Sequence, residues 1–331
     1  MATQPRTSAA TGPDRATIAA FAGVVLCGGL NTIAVKETVA ELDPLWGAGL
    51  RFLLAGLLFS GLALAARRQF PRGRSMLGAI LYGIVGFGAA FGLIYPGLRD
   101  VQAGTAAVLI ALSPLATYGL AIAHRLERFR VQSLLGSLLA LFGIAIVFVE
   151  QVSLTVPVGS LALILGGMLC LSEAGVIVKL IPRADPLATN AVAMLSAAVV
   201  LISATFVTGE SLSLPALMTT WIAVGYIVVF GSVVMFTLYL FGLGRWTASG
   251  MSYSTLLLPF VSVTVATLLT GEQFSWVFVV GGIVMLAGVY LGAFGIHRPR
   301  RSTATSMPEC LPMSDCADAV PAALRSGAGP A

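Results

Sequence analysis

The sequence predicts an all-α integral membrane protein: ten transmembrane helices arranged as two inverted five-helix repeats. Three observations point there: a composition too apolar for a soluble domain, ten apolar segments of spanning length, and residue matches between the halves at a nearly constant offset. Of 331 residues, 57% are hydrophobic and 10% charged. Soluble proteins carry about 45–50% and about 25%. So little charge cannot cover a soluble surface of this size, and so much apolar sequence excludes disorder for most of the chain. The net charge of +5 is spread too thinly for nucleic acid to be the partner; the lipid bilayer is the expected surrounding. Four cysteines form neither a disulfide framework nor a zinc-ligand spacing.

The elements follow in order. Residues 1–15 are small and polar and are expected to be a disordered cytoplasmic N-terminus. Apolar segments then run over 16–35, 44–66, 75–97, 101–124 and 131–149, a first repeat of 16–150. A second set covers 157–178, 186–208, 217–241, 247–269 and 275–296, a second repeat of 157–296. Each is about 19–25 residues, the length of a helix that crosses a ~30 Å hydrocarbon core. Lipid accepts only helices or closed barrels, and barrel strands are shorter and alternate in polarity. The first segment is longer than a signal-peptide core and lacks a small-residue cleavage site after Lys36, so it reads as a retained helix. The tail, 297–331, is rich in Ser, Ala, Pro and Gly and is expected to be disordered and cytoplasmic. Its Cys310 and Cys316 have no histidine beside them and read as inert.

Charge orients the helices. With the N-terminus inside, 16 of the 19 Lys and Arg residues fall on the inner side, among them Arg6, Arg67, Arg72, Arg125, Arg128, Lys179, Arg183, Arg245, Arg298, Arg300, Arg301 and Arg325. Only Lys36 and Arg99 fall outside, and Arg51 lies within a span. This bias predicts a multi-pass protein of the cell inner membrane with both termini cytoplasmic. Trp46, Trp221, Trp246 and Trp276 fall at or near helix ends, where indole prefers the headgroup region. Asp43-Pro44 and Asp185-Pro186 each read as an N-cap acid before a proline at the first helical position.

The internal repeat is the most informative feature. At an offset of 145, Leu112 matches Leu257, Pro114 matches Pro259, Glu127 matches Glu272, Phe129 matches Phe274, Gly136 matches Gly281 and Gly143 matches Gly288. At 143, Leu26-Cys27 matches Leu169-Cys170 and Val35-Lys36 matches Val178-Lys179; the Asp-Pro pairs match at 142. Five helices per repeat is odd, so the second half enters from the opposite face. Inverted repeats suit secondary transporters, in which two related bundles rock around a site near the midplane.

Each half ends in a similar way: a proline in the fourth helix, a glutamate after it, then two glycines seven apart. The two copies read LSPLATYGLAIAHRLERFRVQSLLGSLLALFG and LLPFVSVTVATLLTGEQFSWVFVVGGIVMLAG. In these stretches, and in DPLWGAGLRFLLAGLLF, the chain resembles the EamA domain of the drug/metabolite transporter superfamily over roughly 16–296. His124-Arg125-Leu126-Glu127 departs from the pattern, which usually has a small residue before the glutamate. The resemblance implies alternating access through a cavity built from helices 1–4 and 6–9, and export of a small metabolite such as an amino acid or related compound. Glycines on helices 5 and 10 would brace the outside and offer a surface for a homodimer contact.

Charges inside spans are costly and mark function by default. Arg51 lies ~10 Å below the outer edge and Asn31 ~8 Å below it, so a contact between them is geometrically open. Arg51 reads either as a substrate contact or as a structural residue that snorkels outward or locks backbone carbonyls. Glu173 lies ~14 Å deeper than Arg51, too far for an ion pair. Expected to be unpartnered, it is a candidate for proton coupling or for binding a cationic group, against a neutral hydrogen-bonded acid or one that snorkels to the inner interface. Pro114 and Pro259, interior to helices 4 and 9, are candidate hinges or cavity-lining breaks, with hydroxyls from Ser113 and Ser254. Tyr95, Tyr118, Tyr239 and Tyr253 are candidates for an aromatic wall. Glu127 and Glu272 each precede a helix and read as charges on the N-terminal dipole of that helix. His124 and His297 read as interface residues rather than ligands.

No phosphate-binding loop, paired His-carboxylate helix or Ser/His/Asp set is present. Catalytic residues, metal ligands and cofactors are therefore not expected, and a small-molecule substrate is. A channel or sensor, or less favourably a membrane enzyme acting on lipid headgroups, stays open as an alternative.

Overall fold

The structure, a computed structural model, describes residues 13–101, 103–149, 157–270 and 276–294. Glu272, Phe274, His297, Cys310, Cys316 and the arginines at 6, 298, 300, 301 and 325 lie outside the described residues, as do 1–12 and 297–331. The described residues form ten helical spans and no strand. These are α1 (Arg15–Val39), α2 (Pro44–Ala65), α3 (Arg74–Asp100), α4 (Thr105–Ala123), α5 (Val131–Val147), α6 (Val158–Leu180), α7 (Pro186–Thr208), α8 (Met218–Arg245), α9 (Ala248–Thr270) and α10 (Trp276–Phe294). Among them α5 is shorter than the others, at 17 residues.

The halves are inverted. The first turn of α1 meets the last turn of α8 through Asp14–Arg245 at 3.0 Å, at the end of the bundle that also carries Arg67, Arg68 and Arg183. Its counterpart α6 starts at the opposite end, where Ser160 donates to Asp100. These are called below the basic end and the opposite end. Two long seams join the halves, α2 along α7 and α5 along α10. Glycine makes the second seam possible: a methyl at Gly143 would sit 2.8 Å from the Gly281 carbonyl oxygen and overlap the Met285 backbone. The glycines of helices 5 and 10 are thus used within the chain.

Both third helices contain a π-helical segment, Ile84–Ala89 in α3 and Val229–Val234 in α8. The two are 145 residues apart, the offset of the C-terminal matches. A methyl on Gly86 would lie 2.6 Å from the Ala174 side chain of α6, and one on Gly231 would overlap Asn31 of α1. Ala174 and Asn31 are themselves 143 residues apart, so the same helix crossing is built twice.

Several expectations need correction. Helix α1 begins at Arg15, capped by Asp14 on the Thr17 N–H at 2.9 Å, and runs to Val39, so it takes in Lys36. Lys179 and Arg245 lie in the last turns of α6 and α8 rather than in loops. Trp246 is buried, its ring against Phe21 and Phe294, so it packs between helices instead of sitting among headgroups. Asp185 caps α7 through the Leu187 and Ala188 N–H groups, but Asp43 makes no such bond to α2. The α2 donors Leu45 N–H and Trp46 N–H go instead to Glu210, which follows α7. Glu127 does not cap α5: its carboxylate accepts from the Ser249 N–H and hydroxyl, at the start of α9 in the other half.

Candidate functional site

The α8 π-segment positions the centre of the site. Gly231 lies 13 residues after the first residue of α8 and 14 before the last, so the segment sits at mid-depth. A π-turn disturbs the regular i→i−4 ladder and recurs at functional sites. Ser232 satisfies part of the disturbance, its hydroxyl donating to the Ile227 carbonyl at 2.8 Å. Arg51 reaches across from α2: Nε donates to Ser232 Oγ at 3.0 Å and one terminal nitrogen donates to the Gly231 carbonyl at 2.8 Å. The guanidinium also faces the rings of Phe52 and Phe91, at 5.2 and 5.9 Å from their centroids. Tyr95, one turn beyond Phe91, interacts with the same guanidinium and stacks edge-on against Phe91. The Arg51 side chain is 2% exposed, and among the described residues no carboxylate pairs with it.

Asn31 approaches Gly231 from α1, its Oδ1 buried and without a hydrogen-bond partner among the described residues. Arg51 and Asn31 therefore meet at the same turn of α8 rather than bonding each other directly. Asn31, Arg51 and Tyr95, on three helices of the first half, converge on one helix of the second.

A second polar group lies where α4, α6 and α9 meet. Helix α4 is interrupted at residues 111–112, and Pro114 sits at the start of the helix that resumes, so it opens a helical piece instead of kinking an unbroken one. Pro259 lies inside the continuous α9, so the two prolines are used differently. Ser113 shares a hydrogen bond with Thr255 of α9 at 2.6 Å, and its carbonyl accepts from Ser172 of α6 at 3.3 Å. The Ser254 hydroxyl is spent locally on the Met251 carbonyl. Next to Ser172, Glu173 is not unpartnered: its Oε1 lies 3.1 Å from His124 Nε2, at the C-cap of α4. Its Oε2 is buried without a hydrogen-bond partner among the described residues.

The four tyrosines do not form one wall. Tyr95 stands with Arg51. Tyr239 faces Gly175 and Tyr82. Tyr118 bonds the backbone of Arg130, and Tyr253 shares a hydrogen bond with Ser137 at 2.7 Å, so both brace α5. Sequence reasoning missed Ser232, Thr255 and Ser172, because a hydroxyl in an apolar helix carries no distinguishing pattern. It also missed Tyr82 and the fully buried Asn190, neither of whose side-chain polar atoms has a partner among the described residues. From its place in the sequence His124 reads only as an interface residue.

At the opposite end, the loop after α7 lies over the loop between α1 and α2. Asp43 accepts from the Ser211 N–H and hydroxyl, Glu41 from the Ala216 and Leu217 N–H groups, and Glu210 holds Arg99 at 2.9 Å as well as the start of α2. The Thr220 hydroxyl, then the Ala216 N–H, hold the Glu41 carboxyl below its usual range. The Ser211 hydroxyl and N–H do the same for Asp43.

The family profile described as the EamA-like transporter family matches residues 15–149 and 159–293. Among curated proteins the chain is 28% identical over 250 residues to the uncharacterized inner membrane transporter YedA of Escherichia coli K12, covering 75% of this chain and 80% of that one. It is 26% identical over 290 residues to a probable amino-acid metabolite efflux pump of the same strain, covering 83% and 93%. A crystal structure superposes with a TM-score of 0.73 at 16% identity, over 84% of this chain and 97% of its own, a likeness of fold.

Proposed function

The chain belongs to the EamA-like transporter family, and on that premise we propose that it is a secondary active transporter of the inner membrane that exports a small carboxylate-bearing metabolite, such as an amino acid or related compound, by alternating access. One observation carries the substrate class. Arg51 holds a positive charge at mid-depth, at the seam between the halves, with no carboxylate against it among the described residues. A charge in that place is costly and is lessened by an anionic ligand. The inverted repeat supports a central site that opens to each side in turn. The efflux relative supports export and the amino-acid class.

Glu173 with His124 is the proposed proton-coupling pair. A carboxylate hydrogen-bonded to an imidazole offers two adjacent sites between which a proton can pass, and the other carboxylate oxygen has no hydrogen-bond partner among the described residues. The positive-inside bias supports cytoplasmic termini.

Purified protein in proteoliposomes tests these assignments. Uptake of amino acids should saturate and show counterflow, and Arg51→Gln should remove the saturable component. Flux that does not saturate would point to a pore. Unchanged proton-driven flux in Glu173→Gln would overturn the coupling assignment. A reporter fused to the C-terminus and found outside would overturn the topology.

A further inference from the structure

The basic end holds a cleft of about 480 Å³ between the α2–α3 linker and the α6–α7 linker, lined by Arg67, Arg68, Arg72, Ser75, Arg183 and Asp185 among others. Four guanidinium groups face one carboxylate there. Arg68 pairs with Asp185 at 3.5 Å, and Arg183 donates to the Gly244 carbonyl at 3.0 Å. The side chains of Arg67 and Arg72 make no hydrogen bond or ion pair with the described residues.

The internal symmetry supplies the comparison that gives this cleft meaning. By the inverted repeat, the α2–α3 and α6–α7 linkers correspond to the α7–α8 and α1–α2 loops at the opposite end. Those loops are bound together by three carboxylates, Glu41, Asp43 and Glu210, on backbone N–H groups and Arg99. At the basic end the equivalent place keeps one carboxylate, Asp185 where Asp43 stands, and has Arg183 and Arg68 where Glu41 and Glu210 stand. The first turn of α3 is also open, because Gly73 at its N-cap offers no side-chain bond.

We propose that a phosphate-bearing anion fills this cleft and bridges the two halves, as the three carboxylates do at the other end. Arg67, Arg68 and Arg72 come from the first half and Arg183 from the second, so a bound phosphate ties them together. The surroundings favour an acidic phospholipid headgroup as the source. Leu64, Leu77 and Leu180 are 66%, 58% and 50% exposed, and each lies three to five residues in sequence from one of these arginines. The surface thus passes from acyl-chain to headgroup chemistry within about a turn of helix, as expected where basic pockets at the cytoplasmic side hold lipid heads.

The test is the melting temperature of the full chain in neutral detergent, titrated separately with dioctanoyl phosphatidylglycerol, dioctanoyl phosphatidylcholine and inorganic phosphate. The phosphatidylglycerol should stabilise saturably and the phosphatidylcholine should not. Arg67→Gln/Arg72→Gln should raise the half-saturating concentration roughly 10- to 30-fold, and Arg67→Lys/Arg72→Lys should recover most of the affinity. Arg125→Gln/Arg128→Gln removes equal charge from the basic end outside the cleft and should leave binding unchanged. Stabilisation by inorganic phosphate alone, with the same dependence on Arg67 and Arg72, would keep the site and assign it to the free ion. Equal stabilisation by phosphatidylcholine would overturn the proposal. So would an equal loss in both glutamine pairs, since that would show general charge attraction.

Discussion

The two halves of this chain build the same crossings and furnish them with different chemistry. Both third helices carry a π-segment with a glycine against the first helix of the other half. Where the first half places Asn31 and Arg51, the second has Ala174 and Ala193, at offsets of 143 and 142. Where the second half places Glu173, the first has Leu30, at an offset of 143. The shared features are small residues and irregular turns, which let backbones approach. The differing ones are polar groups, and each half has its own. The crossings serve helix packing, which both halves need, whereas under the proposed transport a single substrate needs each recognising group only once.

Arg51→Leu tests this asymmetry with the largest expected effect. It strands the Gly231 carbonyl and should cost about 2–3 kcal/mol, read as a lower melting temperature in detergent. Arg51→Lys should not restore it, since an ammonium cannot replace a planar fork. Wild-type melting in Arg51→Leu would make the two halves equivalent at this level. The glycine seam tests the opposite statement. Gly143→Val and Gly288→Val occupy matching places, so each should lose about 1–3 kcal/mol to overpacking, and to a similar degree. A large difference between them would mean that the symmetry of the α5–α10 seam is only approximate in energy.

Caps come next in size. Asp185→Ala removes a local cap and Glu210→Ala a remote one, each costing about 1 kcal/mol. Only Glu210→Ala should speed proteolysis of the α7–α8 loop, because Glu210 anchors that loop to α2 and Arg99, while Asp185 lies at the basic end and pairs with Arg68. Asn31→Ala has the smallest expected change in stability and the most informative sign. Removing a buried unsatisfied acceptor should leave melting unchanged or raise it, while substrate affinity falls. A clear destabilisation would make Asn31 a packing residue. Acid sharpens the comparison of the two ends. Glu41 and Asp43 are depressed in the folded state, so the stability they add is full above their ordinary values of 4.5 and 3.8 and fades as pH falls through their folded values. Acidification in that range should loosen the opposite end, and Glu41→Gln/Asp43→Asn should flatten the response in a melting series.

Much of this architecture was legible in the chain. The offset of 145 read from Pro114/Pro259 and Gly143/Gly288 also places the two π-segments, although no apolar period announces a π-turn. Arg51 and Asn31 stood out because polar groups are rare in lipid, and depth counting brought them to one level. The same counting missed Glu173–His124. His124 ends α4 and Glu173 lies seven residues before the end of α6, so pairing them requires the relative tilt and offset of two helices. The remote caps by Glu127 and Glu210 were missed for a related reason. Glu127 precedes a helix and looks like its cap, but the other half of the chain competes for it; Glu210 follows a helix, where no capping pattern marks it.

The sequence by itself determined the membrane setting, the ten helices, the inversion and the positions at which charge is scarce. These depend on composition, segment length and an odd number of helices per repeat, which are properties of the chain read along one dimension. Only the tertiary structure decided which partners the rare polar groups take: Gly231 and Ser232 for Arg51, His124 for Glu173, Ser249 for Glu127, Glu210 for the start of α2. The physical reason is that hydrogen bonds and ion pairs act over about 3 Å, while sequence periodicity places a side chain on a helix face without saying how that face meets its neighbour.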